Sequence, residues 1–525
     1  MGVERSPSGD RTKYAWAIVG LLTLVGAAIR LKMLGNPLVA DELSTLWIAD
    51  GRSLRQVLDI VYSDAEISPP LYFVLAWAAA KLGSAPELVR LPALIAGVGA
   101  IPLAYAIGLR LIGRFGGLVA TAVVTLSPFL VFYSTNARAY SVAITMVMLS
   151  TLGLLLALES GKRRWWVLYG AGSLLAVLSH YTMAFVLIGQ LAWLLWTHRS
   201  LWRPAIVTNA IAAVFYLPWI AGFLADNGAI TVPILEALQG DGFASKQDAV
   251  EQLLFYRVFD GAWALGRGLD IWLITIGVLA AAGGVAVRWA SSKVWPTVAG
   301  LRDQGLALAL VLTLATAIGE GLLLLVGTDI FGARNLAATW VGLPFLIGGV
   351  IALNRRLWGI VSATVILAGF GFGSLRMTDP DRSAYPYRDA ADYAAKVVAD
   401  GGSVIDAAHF TPCPLGSMEV YLPASTDLYK PGLPPIDDID FIEDILVPKP
   451  TQTEVDAAFA NATPDEPVAV VTLGGPEMAT DGQFVQNRSG SGVLTVPEGW
   501  EIASQETFDG TTDLTVSTYE KEGRR

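Results

Sequence analysis

The amino-acid sequence predicts an all-helical polytopic membrane domain of about 11 to 13 spans, followed by a small α/β domain outside the membrane. Three observations lead there. Hydrophobic residues make up 54% of the 525-residue chain and charged residues only 16%, with a mean hydropathy of +0.52, a balance that soluble domains of ordinary size do not reach. Apolar runs of span length recur up to residue 375 and then stop. The charge divides at the same place, because residues 1–375 carry 26 basic and 20 acidic side chains whereas residues 376–525 carry 10 and 26. The chain therefore reads as a transmembrane domain, 1–375, and a soluble domain, 376–525. The acidic excess excludes nucleic-acid binding. Cys413 is the only cysteine, which excludes an intrachain disulfide and metal sites built on thiolates.

Spans follow in order at 14–34, 91–109, 117–134, 139–158, 165–180, 182–197, 204–224, 269–287, 305–327, 336–353 and 357–375, where about 20 residues suffice to cross a bilayer. Arg5, Arg11 and Lys13 precede the first, and no small-residue cleavage site follows it, so it reads as an uncleaved span. Lys and Arg mark alternate loops: Arg110 with Arg114, Lys162 to Arg164, Arg199 with Arg203, Arg288 with Lys293 and Arg302, and Arg355 with Arg356. The positive-inside rule makes these loops and the N-terminus cytoplasmic. Loops 35–68, 134–138, 180–182, 225–268 and 328–335 then face outward, as does everything after 375, Cys413 included. The alternation needs an odd number of crossings before Arg110, so the short run 69–84, opened by Pro69-Pro70, is placed at the outer interface without crossing.

After residue 375 the pattern is that of a soluble chain. Helical periodicity appears at 388–399 and 453–461. Strand-like runs appear at Ser403–Ala407, Pro467–Leu473 and Leu514–Tyr519, between turn-rich stretches such as Pro431–Pro435 and Asp437–Asp440. No internal repeat or pair of related halves is visible, which sets the chain apart from transporters built on such halves.

The residues able to carry chemistry lie at the outward ends of spans. Asp41-Glu42 stands just after the first span, in a loop 35–68 where a carboxylate can take a proton from an incoming hydroxyl and its neighbour can hold it in place. Taken alone, the pair also fits the acidic first turn of an interfacial helix. Ile67-Ser68-Pro69-Pro70-Leu71-Tyr72 fixes an extended entry to a short apolar helix. Tyr133-Ser134-Thr135-Asn136-Ala137-Arg138-Ala139-Tyr140 puts an arginine on the outer face, against the bias of the other loops, and an anion there would explain it. His180-Tyr181 closes a span and fits packing at least as well as a substrate contact. Glu320 is an intramembrane carboxylate, costing about 2.5 to 3.5 kcal/mol on insertion scales, and must face a cavity or a partner. Asp64 and Glu66, near the Pro pair, fit either solvated loop charges or acceptor contacts, and solvated loop charges are the reading preferred.

This order of motifs, an outward Asp-Glu after the first span, Pro-Pro-Leu-Tyr, Tyr-Ser-x-x-Ala-Arg-x-Tyr and Ser179-His180-Tyr181-Thr182, resembles the GT-C membrane glycosyltransferases, in particular the protein O-mannosyltransferase and aminoarabinose-transferase group. The motifs cover roughly residues 14–200. Arg334, in Gly332-Ala333-Arg334-Asn335-Leu336, and the soluble domain opened by Tyr387-Arg388-Asp389 extend the likeness. The resemblance implies inverting transfer of a sugar, mannose or a pentose such as arabinose, from a polyprenyl phosphate to an acceptor hydroxyl of a cell-envelope glycan, lipid or protein. Asp41 would be the catalytic base, with Glu42 orienting it or touching the acceptor. The sequence departs from the family in three places: Ser68 stands where a basic residue commonly precedes the Pro pair, Asn136 where an acid often stands two before the arginine, and Ser44 where some members carry a basic residue.

Those departures move phosphate binding onto Arg138 and Arg334, whose guanidinium forks match phosphate oxygens, and leave His180, Tyr181, Tyr140 and Glu320 as candidate substrate contacts. One phosphate can be met by arginines, so no cofactor is expected, although a divalent metal is compatible with the reaction. The expected partners are the polyprenyl-phosphate sugar, its acceptor and the bilayer. The rival reading is a transporter or flippase of lipid-linked sugars, which would leave the glycolipid intact.

Overall fold

The structure, a computed structural model, describes residues 8–39, 41–63, 66–226, 242–255, 268–292, 305–379, 383–399, 401–409, 413, 415–430, 452–486 and 492–523. Asp64, the two turn-rich stretches and most of the loop 225–268 lie outside them. The chain forms two compact units, Met1–Leu34 with Val61–Leu75 and Arg90–Met377, and Gly35–Ile60 with Ala76–Val89 and Thr378–Arg525. The boundary at Met377 falls where composition changes. Segments 35–60 and 76–89, however, group with residues 378–525 and not with the spans.

The first 200 residues form α1 (Ser8–Leu34), α2 (Asp41–Ala49), α3 (Leu54–Tyr62), α4 (Leu71–Ala80), α5 (Leu91–Leu111), α6 (Gly113–Leu126), α7 (Pro128–Tyr133), α8 (Tyr140–Ser160), α9 (Arg163–Val177) and α10 (Met183–Thr197). Among the described residues 8 helices are long and apolar enough to cross a membrane: Thr12–Leu34, Pro86–Leu111, Tyr140–Ser160, Arg199–Leu224, Leu269–Ser291, Gly305–Leu325, Asn335–Ala352 and Arg356–Met377. The remaining expected spans, at 117–134, 165–180 and 182–197, are the shorter α6 with α7, α9 and α10. The run 117–134 breaks because Pro128 has no N–H to continue a helix, and Ser127 Oγ accepts the Leu130 N–H to start α7. Helix α4, of 10 residues, is only about 15 Å long, half the thickness of a hydrocarbon core of about 30 Å.

Within the span-bearing unit, glycines bring helix backbones into contact. A Cβ on Gly108 of α5 would lie 2.7 Å from Gly117 Cα of α6, and one on Gly172 of α9 2.6 Å from Ser150 N of α8, so larger residues would push these helices apart. Polar groups there pair internally. Ser150 Oγ lies 2.9 Å from Ser173 Oγ and 3.2 Å from Gln190 Oε1, and Gln190 Nε2 donates to Thr151 Oγ1 at 3.1 Å, joining α8, α9 and α10. Arg30, fully buried in α1, donates to Val124 O and Thr125 O, two of the carbonyls that the end of α6 leaves open.

The second unit is built on a five-stranded sheet of order β2-β1-β3-β8-β7, with β1 Ser403–Asp406, β2 Asp427–Tyr429, β3 Val468–Leu473, β7 Trp500–Phe508 and β8 Leu514–Lys521. β1 pairs in parallel with both β2 and β3, and β8 runs antiparallel to β3 and β7. The 3-stranded sheet β4-β5-β6 lies beside it in sequence at Ala479–Thr480, Gln483–Gln486 and Gly492–Thr495. Side chains alternate across the main sheet. Ile405, Val468 and Val470 pack with Val455 and Phe459 of helix Gln452–Asn461. Val404, Ala469 and Val471 pack on the other face with Tyr387 and Ala391 of helix Tyr387–Val397.

Asp406 ends β1 with its side chain buried, and burial pushes its carboxyl up from 3.8 to about 7, against the lowering influence of the Ala408 amide and Lys430. The folded domain therefore holds a proton that the unfolded chain releases at lower pH, so its stability falls as pH rises from about 4 to about 7. Amide exchange of β1 and β3, corrected for the intrinsic pH dependence, should lose protection across that window. Asp406→Asn should flatten the dependence, and a parent profile already flat would show that Asp406 ionises at its ordinary value.

Candidate active site

In the second unit, which the chain enters after α1, Leu38 of the segment Gly35–Val39 is fully buried and Val39 packs against the core of the α/β domain. Asp41 and Glu42 then open α2. Acids are favoured in a first helical turn, where they face the unsatisfied amides of the helix start. Glu42 is buried, at 2% exposure, while Asp41 remains half-buried. Of the pair, Asp41 is the more open to a reactant.

In the first unit the structure brings three of the sequence motifs together. Arg138, just before α8, donates Nη1 to Glu66 Oε2 at 3.0 Å and Nη2 to Glu66 Oε1 at 3.2 Å, and reaches Ser68 Oγ at 3.1 Å. Its guanidinium also lies 5.9 Å from the ring centre of Phe73. The Leu71 amide donates to Leu178 O at 3.0 Å, which fastens the Pro-Pro helix start to the end of α9. Two residues on, the His180 ring packs on Tyr140 with centroids 5.1 Å apart, and His180 Nδ1 lies 2.9 Å from Thr182 Oγ1. Tyr181 Oη accepts the Trp219 indole N–H at 3.0 Å.

One expectation is corrected. Glu66 is not a solvated loop charge: it is 7% exposed and accepts both arms of the Arg138 fork. Such a bidentate pair fixes the plane of the guanidinium. Arg138 is thus held by a carboxylate, and a bound anion would share it. Arg334 is exposed and immediately precedes the turn of 3₁₀ helix Asn335–Val341. Glu320 is fully buried, and neither carboxylate oxygen meets hydrogen-bond geometry with a partner among the described residues. Lys246 and Asp329, in the same unit, form a 2.5 Å ion pair. Among the described residues no group of three or more His, Cys, Asp and Glu side chains is placed to hold a metal ion.

Fold and site define a multi-pass helical membrane protein that collects ionisable and aromatic side chains where helices end. Residues 68–221, which hold the Pro-Pro, Arg138 and His180 motifs, match the family of dolichyl-phosphate-mannose-protein mannosyltransferases. That bears out the GT-C resemblance for this segment, which is less than half of the chain. No curated protein matches. Solved structures with likeness include ArnT from Cupriavidus metallidurans in the apo state, at 15% identity over 97% of this chain and 98% of that chain, TM-score 0.41. The same protein bound to undecaprenyl phosphate gives 14% over 96% and 98%, TM-score 0.40. The Archaeoglobus fulgidus oligosaccharyltransferase tethered with an acceptor peptide gives 13% over 75% and 61%, TM-score 0.44.

The Glu66–Arg138 pair makes a direct prediction. Arg138→Ala leaves a buried carboxylate without its cation, a change that costs about 3–5 kcal/mol in such sites, so amide exchange of segments 66–75 and 138–145 should accelerate strongly. Adding Glu66→Gln should restore part of the protection. Unchanged exchange in Arg138→Ala would show that the pair does not hold these segments together.

Proposed function

We propose that the protein is an inverting, polyprenyl-phosphate-dependent glycosyltransferase acting at the outer face of the cell membrane, with mannose or a pentose such as arabinose as the transferred sugar. The family match over residues 68–221 is the observation that carries this reading, since that family is described by a dolichyl-phosphate-mannose donor. Asp41 accepts the proton of the acceptor hydroxyl as that oxygen attacks the anomeric carbon. The bond from that carbon to the phosphate oxygen breaks, its electron pair leaves on the phosphate, and the configuration at carbon inverts. Glu42, buried behind Asp41 in sequence, orients the base.

Negative charge grows on the leaving phosphate, and cationic donors aimed at it lower the barrier. Arg138 and Arg334 are assigned that role. Glu66 keeps the Arg138 guanidinium oriented before the donor arrives, at the expense of part of its charge. His180, Tyr181 and Tyr140 supply aromatic and polar surface for the donor sugar or acceptor, and Glu320 is a further candidate contact. The acceptor is a hydroxyl of a cell-envelope glycan, lipid or protein.

Asp41→Asn preserves shape and removes the proton acceptor. Release of free polyprenyl phosphate from a polyprenyl-phosphate sugar should fall about a hundredfold or more with donor affinity unchanged, in the range general-base catalysis contributes. Near-parental release would remove Asp41 from the chemistry, and donor left intact by the parent protein would favour a flippase.

Orientation has its own test. Cys413 is buried, and burial pushes its thiol up to about 12, so it is a poor target for maleimide. Val493, on β6, is 59% exposed. In a Cys413→Ser background, Val493→Cys should react with a membrane-impermeant maleimide in intact cells. Reaction only after lysis would invert the topology.

A further inference from the structure

The chain segment that leads to Asp41 is held by a closed ring of hydrogen bonds whose other members come from distant parts of the second unit. Arg388 Nη1 donates to Gly35 O at 3.1 Å, and Arg388 also pairs with Glu87. Glu87 Oε1 accepts the Tyr421 hydroxyl at 3.2 Å, and Tyr421 Oη in turn accepts the Leu38 amide at 2.7 Å. Arg388 stacks over the Tyr421 ring at 5.0 Å. Both ends of Gly35–Leu38 are thereby tied through one carboxylate. Asn36 Nδ2 adds a bond to Ser383 Oγ at 3.2 Å.

We propose that Tyr421, Arg388 and Glu87 are positioning residues that set the place of Asp41 and Glu42, and that this is a task of the second unit. The inference rests on Asp41 being the base. The physical case is the shortness of the tether: Leu38 is three residues before Asp41, fully buried, and followed by Val39 in the domain core. A base must stand within hydrogen-bond reach of the proton it takes, and small misplacements slow reactions steeply. An irregular segment of Gly, Asn and Pro cannot hold such a place through its own backbone bonds. The ring supplies what the segment lacks.

Tyr421→Phe deletes the hydroxyl alone and keeps the ring under Arg388. In the full-length protein it should raise amide exchange of residues 35–44 about tenfold, the effect of one lost hydrogen bond. It should lower kcat for polyprenyl-phosphate release by about the same factor with donor KM unchanged. Glu87→Gln, which keeps the shape of the junction, should act the same way. In an Asp41→Asn background Tyr421→Phe should cost no further turnover, because its effect passes through that carboxylate. If Tyr421→Phe and Glu87→Gln leave both exchange of 35–44 and kcat at parental values, the positioning role is overturned, as it is if the Tyr421→Phe loss persists in full without Asp41. A fully active Asp41→Asn would instead bring down the base assignment, and faster or unchanged exchange in Tyr421→Phe would still decide for or against the ring.

Discussion

The hydrocarbon layer offers no water, and every polar group placed in it must find its partner within the protein. Most features of this chain follow from that constraint. The spans spend their few polar side chains on one another, as in the Ser150, Ser173, Gln190 and Thr151 network, or on open helix ends, as Arg30 does at the end of α6. Glycines at α5, α6, α8 and α9 let backbones touch where no aqueous driving force presses them together. Apart from Arg30 and Glu320, the ionisable candidate residues lie in or beside the segments where helices stop. Such segments are irregular, and an irregular segment keeps a defined shape only if something else holds it.

Two kinds of scaffold answer that need. Around Arg138 the support comes from neighbouring helix ends: the Leu71 amide is tied to Leu178, and Tyr140 packs on His180. Around Asp41 it comes from the rest of the second unit, through Glu87 of segment 76–89 and Tyr421 and Arg388 of the α/β domain. The Gly35–Ile60 segment accordingly groups with residues 378–525 although it follows the first span in sequence. A domain that looks like an appendage in the order of the chain is, in contact terms, the bed of the segment that follows the first span.

How far this was readable from the sequence depends on the range of the interactions. Spans were legible because their signal is local and repeated over about 20 residues. β1, β3 and β8 were legible because both faces are buried, which leaves continuous runs such as Val468–Leu473. β7 was not, since its middle, Ala503 to Glu506, is exposed and polar on an edge. The break at Pro128 hid inside an apolar run whose hydropathy it does not change. Among the candidate residues, Asp41, Arg138 and His180 stood out by residue type and place. The burial of Glu66 did not, because a glutamate enters a core only when a cation meets it there, and Arg138 is 72 positions away. The ring at Gly35–Leu38 was hidden for the same reason, its members lying hundreds of residues apart.

Glu66 also bears on how this sequence departs from the family it resembles. Where an acid often stands two before the arginine, this chain has Asn136, and where a base commonly precedes the Pro pair it has Ser68. The structure supplies the missing carboxylate from Glu66, and Ser68 accepts a hydrogen bond from the arginine that an ammonium at that place would repel. The two replacements therefore suit each other: with no cation at 68, the guanidinium can approach the Pro-Pro segment and be held there. The electrostatic consequence is specific. A base, an acid and an arginine sum to one positive charge, whereas Glu66 with Arg138 sums to none. A phosphate arriving at this place gains directed hydrogen bonds but little net attraction, so on the proposed reading the attraction must come from a cation outside the pair, and Arg334, exposed before Asn335–Val341, is the residue assigned to provide it.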